Sequence, residues 1–297
     1  MRCTVEIPLA TAAVTEACRF VDPRSGGTES AGYIEVAGDQ VYTVLHAASK
    51  PVAAVLLCGP IGAERERAYR TLVDLARAIA GAGFVAMRFD YRGIGESTGR
   101  FGDLALTDWR ADIAACAAHL AAQAPGLPLA LWGVRAGALL ISESFQDGLG
   151  DAAMFCAPTS GREMLHDVLR RKLVADALTE RSGRRASREE LVQSLERGAT
   201  VNVDGYPWSG RLWADAARHA MVLPPAGETR PWRVVEYRRV ARSAPVAELA
   251  AQTDEHREIE AGERFWEGAT APVPRPSMLP ERSVAWLRTL ANRAGER

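Results

Sequence analysis

The segment Leu129-Ala130-Leu131-Trp132-Gly133-Val134-Arg135-Ala136-Gly137-Ala138-Leu139-Leu140 puts an arginine at the centre of a Gly-x-x-x-Gly turn. An apolar run precedes the turn and a small-residue helix start follows it. Strand, sharp turn and helix in that order make a nucleophile elbow, Gly-x-Ser-x-Gly, whose central serine attacks an acyl carbon. Gly133 and Gly137 let the turn approach neighbouring backbone, and Ala136 and Ala138 let the helix pack closely. A guanidinium stays protonated and has no lone pair to offer, so Arg135 cannot be that nucleophile. At a helix N-terminus, beside the backbone N–H of Ala136, it suits a carboxylate, phosphate or sulfate. The alternative is an ion pair within the chain, for which Glu96, Asp103 and Glu143 are the candidates.

The remaining parts of acyl-transfer chemistry are incomplete. Gly59-Pro60-Ile61-Gly62 ends an apolar run where an oxyanion-hole loop would lie. Pro60 has no N–H, so Ile61 is the expected donor, with Gly59 and Gly62 shaping the loop; a tight strand-to-helix turn explains the glycines equally well. Gly95-Glu96-Ser97-Thr98-Gly99 matches Gly-x-Ser-x-Gly literally but lies in a loop with no immediate helix, so a structural role is expected. Ser97 and Cys58 are the least unfavourable displaced nucleophiles. A triad also needs an acid and a histidine after the last two strands. The acid position falls in Arg238–Arg242, which has no carboxylate, and Glu236 lies inside the strand. Phe265 and Trp266 stand at the histidine position, while His256 opens the final strand, away from the elbow. No catalytic residue is assigned. His46, His119, His166 and His219 lack Asp, Glu or Cys companions at ligand spacing, so neither a metal site nor a cofactor is expected. Tyr206, Trp208 and Trp213 either roof a binding cleft or form the small core of an insertion.

The elements that position these residues follow from periodicity. Tyr33–Val36 and Val41–His46 alternate around Gly38-Asp39 and predict a hairpin. From Val52 to Ala157 the chain repeats apolar strand, glycine turn and helix. The strands are Val52–Cys58, Phe84–Phe89, Leu129–Val134 and Ala152–Ala157; the helices are Glu64–Ala82, one capped by Thr107 or Asp108 and running to about Gln123, and one through about Phe145. Continuous apolar strands alternating with helices predict a mostly parallel sheet with helices on both faces. Between Pro158 and Glu228 the alternation stops. Helices over His166–Ala177, Glu189–Arg197 and Leu212–His219, with a basic turn at 181–185, predict a helical cap. A strand at Trp232–Arg238, a helix near Ala244–Gln252, a strand at His256–Ala261 and a helix over Pro280–Arg293 complete the sheet. The division is thus residues 1–157 and 229–297 as two parts of one α/β core, with 158–228 inserted as the cap.

Composition narrows the class. A chain of 297 residues, 47% hydrophobic with net charge −1, has material for a sizeable core and no basic excess to attract nucleic acid. Arginine supplies almost all the basic charge, Lys50 and Lys172 being the only lysines, which fits a GC-rich coding bias. Five scattered cysteines without Cys-x-x-Cys spacing fit a reducing compartment. The start of the chain lacks a signal-peptide core, and no apolar run reaches the ~20 residues that span a bilayer, so a cytoplasmic protein is expected.

Cys58-Gly59-Pro60 with Glu64–Tyr69, Arg88–Gly99 and Leu131–Gly137 together resemble the bacterial α/β-hydrolase-like proteins called exosortase A system-associated hydrolases, relatives of the serine aminopeptidase-like hydrolases. Ala157-Pro158 through Gly161-Arg162 and Val203–Ser209 are similar too, and the resemblance runs from about Tyr33 to Leu290. It implies an α/β-hydrolase fold with its pocket above the elbow. An arginine at the elbow resembles a trait of part of this group. The expectation is a protein that binds a small anionic or acyl molecule without hydrolysing it, or serves as an accessory protein. The competing expectation is an active hydrolase or acyltransferase on esters, thioesters or amides, with a displaced nucleophile. No partner protein is legible.

Overall fold

The computed structural model describes residues 18–21, 27–179, 186–238, 256–261, 264–267 and 279–295. The helix expected near Ala244–Gln252, the basic turn at 181–185 and most of the expected acid segment lie outside the described residues.

Nine strands form one sheet in the order β1-β2-β3-β5-β4-β6-β7-β10-β11. The first three, β1 (Cys18–Val21), β2 (Thr28–Val36) and β3 (Asp39–Ala47), pair antiparallel, and β3 pairs antiparallel with β5 (Val85–Phe89). The others, β4 (Ala54–Cys58), β6 (Leu129–Val134), β7 (Ala152–Cys156), β10 (Trp232–Arg238) and β11 (Arg257–Ala261), continue the sheet in parallel from β5. The expected mostly parallel α/β-hydrolase sheet is therefore present. Its central strands β4, β6 and β7 are buried at every residue, which is why they read as unbroken apolar runs.

Successive side chains feed opposite cores. Leu56, Cys58 and Leu131 join Trp109, Ile113, Leu140 and Phe145 under helices α2 (Leu106–Gln123) and α3 (Ala136–Gln146). Val55, Leu57, Trp132 and Val134 join Leu75, Ile79, Trp286 and Leu287 under α1 (Ala63–Gly81) and α7 (Leu279–Gly295). The indole N–H of the buried Trp132 donates to Ser283 Oγ at 3.1 Å, satisfying the one polar atom that β6 sends into this core. The N-cap of α2 is Ala105, not Thr107 or Asp108. Asp108 works from inside the first turn, where its carboxylate accepts the Ala105 N–H at 2.9 Å.

Between β7 and β10 lie α4 (Gly161–Thr179), α5 (Arg188–Glu196), the hairpin β8 (Thr200–Val203)–β9 (Tyr206–Ser209), and α6 (Gly210–Ala216). The sequence reading missed this hairpin. Asp204 and Gly205 both have positive φ, 53° and 90°, as a two-residue hairpin turn requires. The segment is tied to the core by polar contacts. Thr107 N–H and Oγ1 both donate to Asp215, each at 3.0 Å, and His219 Nδ1 lies 2.9 Å from Glu143. Hydrogen bonding to Glu143 raises the His219 pKa against the effect of burial, with Asp215 adding to the rise. Among the described residues no helix is long and apolar enough to cross a membrane.

Candidate active site at the elbow

Arg135 closes β6 with φ 56° and ψ −119°. This is a conformation L-residues rarely adopt, costing about 1–3 kcal/mol. The turn between β6 and α3 thus carries its strained backbone at Arg135. Its N–H donates to Cys156 O at 3.1 Å and its carbonyl accepts from Leu139 N–H at 3.0 Å, so the turn is held from β7 and from α3. Ala136 is buried as the first residue of α3.

The side chain faces neither Glu96, Asp103 nor Glu143. Its Nε and Nη2 donate to Glu64 at 3.2 and 3.3 Å, and Nη2 donates to Asp167 at 2.8 Å. Glu143 instead pairs with Arg110 and His219; Glu96 and Asp103 are exposed. The side chains of Arg135, Glu64 and Asp167 are 11%, 7% and 30% exposed. Burial works against the Arg135 charge, but Glu64 and then Asp167 outweigh it and raise the pKa further. Glu64 sits in the first turn of α1, where an acid complements the helix N-terminus. It also accepts from Arg171 Nη1 at 3.2 Å. Arg171 in turn donates to Asp204 at 3.0 Å, and Arg67 Nη2 lies 4.0 Å from the same carboxylate. An alternating chain of charges, Arg67–Asp204–Arg171–Glu64–Arg135–Asp167, therefore joins α1 and the elbow to α4 and the β8–β9 hairpin.

The loop Gly59-Pro60-Ile61-Gly62 passes beside this cluster. Ile61 is buried, and Gly62, at φ 56°, precedes α1. A Cβ on Gly62 would meet the rings of Trp208 and Tyr206 at 3.8 Å; Trp208 is buried in the core and Tyr206 Oη donates to Glu66 at 2.9 Å. They share an edge-on cluster with Phe101, centroids 4.9 Å from Tyr206 and 5.5 Å from Trp208. Trp213 is only partly buried, packed against the core. Gly59 lies against Leu72, and its carbonyl accepts from Tyr91 Oη at 3.3 Å.

The displaced nucleophiles are engaged elsewhere. Ser97 Oγ donates to Asp90 O at 2.6 Å and accepts the Tyr42 N–H at 2.8 Å, fastening the glycine-rich loop to β3. Cys58 is wholly buried, and burial pushes its thiol far above the ordinary range, so the reactive thiolate is suppressed. Cys156 is buried in the core under α1 and α7. At the expected histidine position, Phe265 and Trp266 are buried, and the Trp266 ring centroid lies 5.9 Å from Arg135 Cζ. His256 stacks on Trp232 at 4.2 Å, at the opening of β11. Among the described residues, no group of three or more His, Cys, Asp and Glu side chains could hold a metal ion.

Glu64, Asp167 and Arg171 escaped the sequence reading. The one available signal was the acidic first turn of the helix after the Gly59–Gly62 loop, which this fold lays against the elbow.

Comparison with known proteins agrees with this geometry. A family model described as "Serine aminopeptidase, S33" matches residues 44–195. The ferulic-acid-bound esterase Est1E from Butyrivibrio proteoclasticus is 14% identical, covering 89% of this chain and 99% of its own, with a TM-score of 0.55. Mouse alpha/beta hydrolase domain-containing protein 10 is also 14% identical, with the same coverage and a TM-score of 0.52. No protein of curated function matches the chain. An elbow between β6 and α3, the sheet order and the matched residues together place the chain in the serine aminopeptidase family of α/β hydrolases.

Proposed function

We propose that this chain is a non-hydrolytic member of its family that binds a small anionic or acyl ligand, with Arg135 and the N–H of Ala136 as the seat for the ligand's negative charge. The observation that carries the reading is the Arg135 guanidinium, on a strained elbow, with carboxylates already ranged around it. A site that holds Glu64 and Asp167 has the charge and the donors to hold a ligand carboxylate. The oxyanion-type loop at Gly59, Ile61 and Gly62, and the aromatics Tyr206 and Trp208 beside it, border the seat, with Trp213 further back on the same segment. The segment 158–228 acts as a cap over the core. On this reading Arg135 is a replacement for the nucleophile, as in the exosortase-associated branch that the sequence resembles, and the protein works in the bacterial cytoplasm.

The competing reading, hydrolysis through a displaced nucleophile, gains nothing from Ser97 or Cys58, whose atoms are committed to the loop and the core. The test is calorimetric titration with acyl carboxylates and phosphate monoesters against wild type and Arg135→Ala. Loss of at least tenfold in affinity, about 1.4 kcal/mol, is expected in the variant. Equal affinities would sink the anion seat.

A further inference from the structure

We infer that Asp167 is a built-in occupant of the Arg135 anion seat, and that a monoanionic carboxylate ligand binds by taking its place. This inference rests on the reading of Arg135 as an anion seat and adds the ligand class and the means of regulation.

The two carboxylates on Arg135 are held very differently. Glu64 is buried on the core side and takes three guanidinium bonds, from Arg135 Nε and Nη2 and from Arg171 Nη1. Removing it would leave Arg135 with Asp167 and Arg171 with Asp204 as their remaining carboxylate partners. Asp167 takes a single bond from Arg135, at 2.8 Å, and stands on α4, outside the core sheet. It is the more exposed of the two, and it already has a second partner in exposed Arg170, 3.3 Å away and one helical turn on. If Asp167 turns to Arg170, one Nη2 donor is freed while the Glu64 pairing stays intact.

Charge balance selects the ligand. Exchange of one carboxylate for another leaves Arg135 as neutralised as before. A neutral alcohol would leave the guanidinium short of a counter-charge. A phosphate dianion would bring a second negative charge toward Glu64. Half-buried Tyr206 beside the loop favours a carboxylate carried on an apolar body, with the buried Trp208 backing it. Because Asp167 is tethered beside its site, it competes at high local concentration and lowers the apparent affinity. Binding also frees the N-terminal half of α4 from the elbow.

The test titrates octanoate, octan-1-ol and inorganic phosphate into wild type, Asp167→Asn and Arg135→Ala, with hydrogen exchange followed over α4. Octanoate is expected to bind Asp167→Asn about tenfold tighter than wild type and to fail with Arg135→Ala, while octanol and phosphate gain nothing from Asp167→Asn. Saturating octanoate should speed exchange in the N-terminal half of α4 of the wild type. Octanoate binding that needs Arg135 but is equal in wild type and Asp167→Asn would overturn the inference and leave the anion seat standing. Octanoate binding unaffected by Arg135→Ala, or absent from both wild type and Asp167→Asn, would overturn the seat as well. The exchange measurement is made on the wild type, so a folding defect in a variant does not decide the outcome.

Discussion

Gly137→Ala is expected to lower the unfolding free energy by about 3 kcal/mol, the upper end for overpacking a core, read from the shift of a denaturant midpoint. A Cβ at this position would stand 2.0 Å from Cys58 O and 2.6 Å from Gly59 O. Both obstacles are backbone, so no flexible side-chain end can move aside. The elbow needs this glycine because α3 must lie directly on the loop leaving β4. That approach holds Arg135 beside Glu64, so the variant should loosen the ion pairs as well as the fold. Gly81→Ala is the control. Nothing lies within 4 Å of its added carbon, and a change between neutral and about 1 kcal/mol stabilising is expected there. Equal midpoints for Gly137→Ala and wild type would contradict the packing described.

The second large effect lies under the glycine-rich loop. Asp112 is wholly buried in α2 and accepts the Arg92 Nε–H at 2.6 Å and the Arg92 backbone N–H at 3.0 Å. Arg92 Nη2 donates onward to Asp108 O at 3.0 Å, and the Arg92 carbonyl accepts from Trp109 Nε1 at 3.0 Å. Asp112→Ala leaves that guanidinium buried without its counter-charge, and a loss of about 3–5 kcal/mol is expected. Burial raises the Asp112 pKa even with Arg92 beside it, so the pair's desolvation is costly in the native state. The double variant Arg92→Leu/Asp112→Leu should therefore be clearly less destabilised than Asp112→Ala. Thermal and urea denaturation of the three proteins checks the order. A double variant worse than the single one would show that the pair is worth more than the desolvation it costs.

The parts of the fold legible in sequence are those whose burial is one- or two-sided along their whole length. Strands β4, β6 and β7 are covered on both faces and read as apolar runs. The β2–β3 hairpin alternates as a half-buried pair should, with its register closed by Val36 opposite Asp39. Strand β1 has four exposed residues, and nothing in Cys18–Val21 distinguishes them from a loop. The β8–β9 hairpin carried a usable signal in Asp204-Gly205, masked by the Pro207 that follows.

The site divides in the same way. Arg135 was legible because the elbow is a local pattern within one strand, one turn and one helix. Its partners were not. Glu64 lies 71 residues away in sequence and Asp167 lies 32 away on α4, and only the fold, which sets α1 beside β5 and α4 beside α3, brings them together. Charge pairing at such separations leaves no periodic trace, so Glu96, Asp103 and Glu143 were equally eligible on sequence grounds. Trp266 falls at the expected histidine position in the sequence, but its place beside Arg135 follows only from the sheet order.

On the proposed reading, Arg135→Ser should not hydrolyse esters, because Phe265 and Trp266 lie at the expected histidine position and the residues at 238–242 include no acid. The most direct measurement is active-site labelling by fluorophosphonate and thiol-directed probes, with p-nitrophenyl ester turnover, on wild type and Arg135→Ser. The account predicts no stoichiometric labelling of the folded wild type and no substantial turnover by either protein. Labelling of the folded wild type that Ser97→Ala or Cys58→Ala abolishes, or substantial esterase activity in Arg135→Ser, would contradict it.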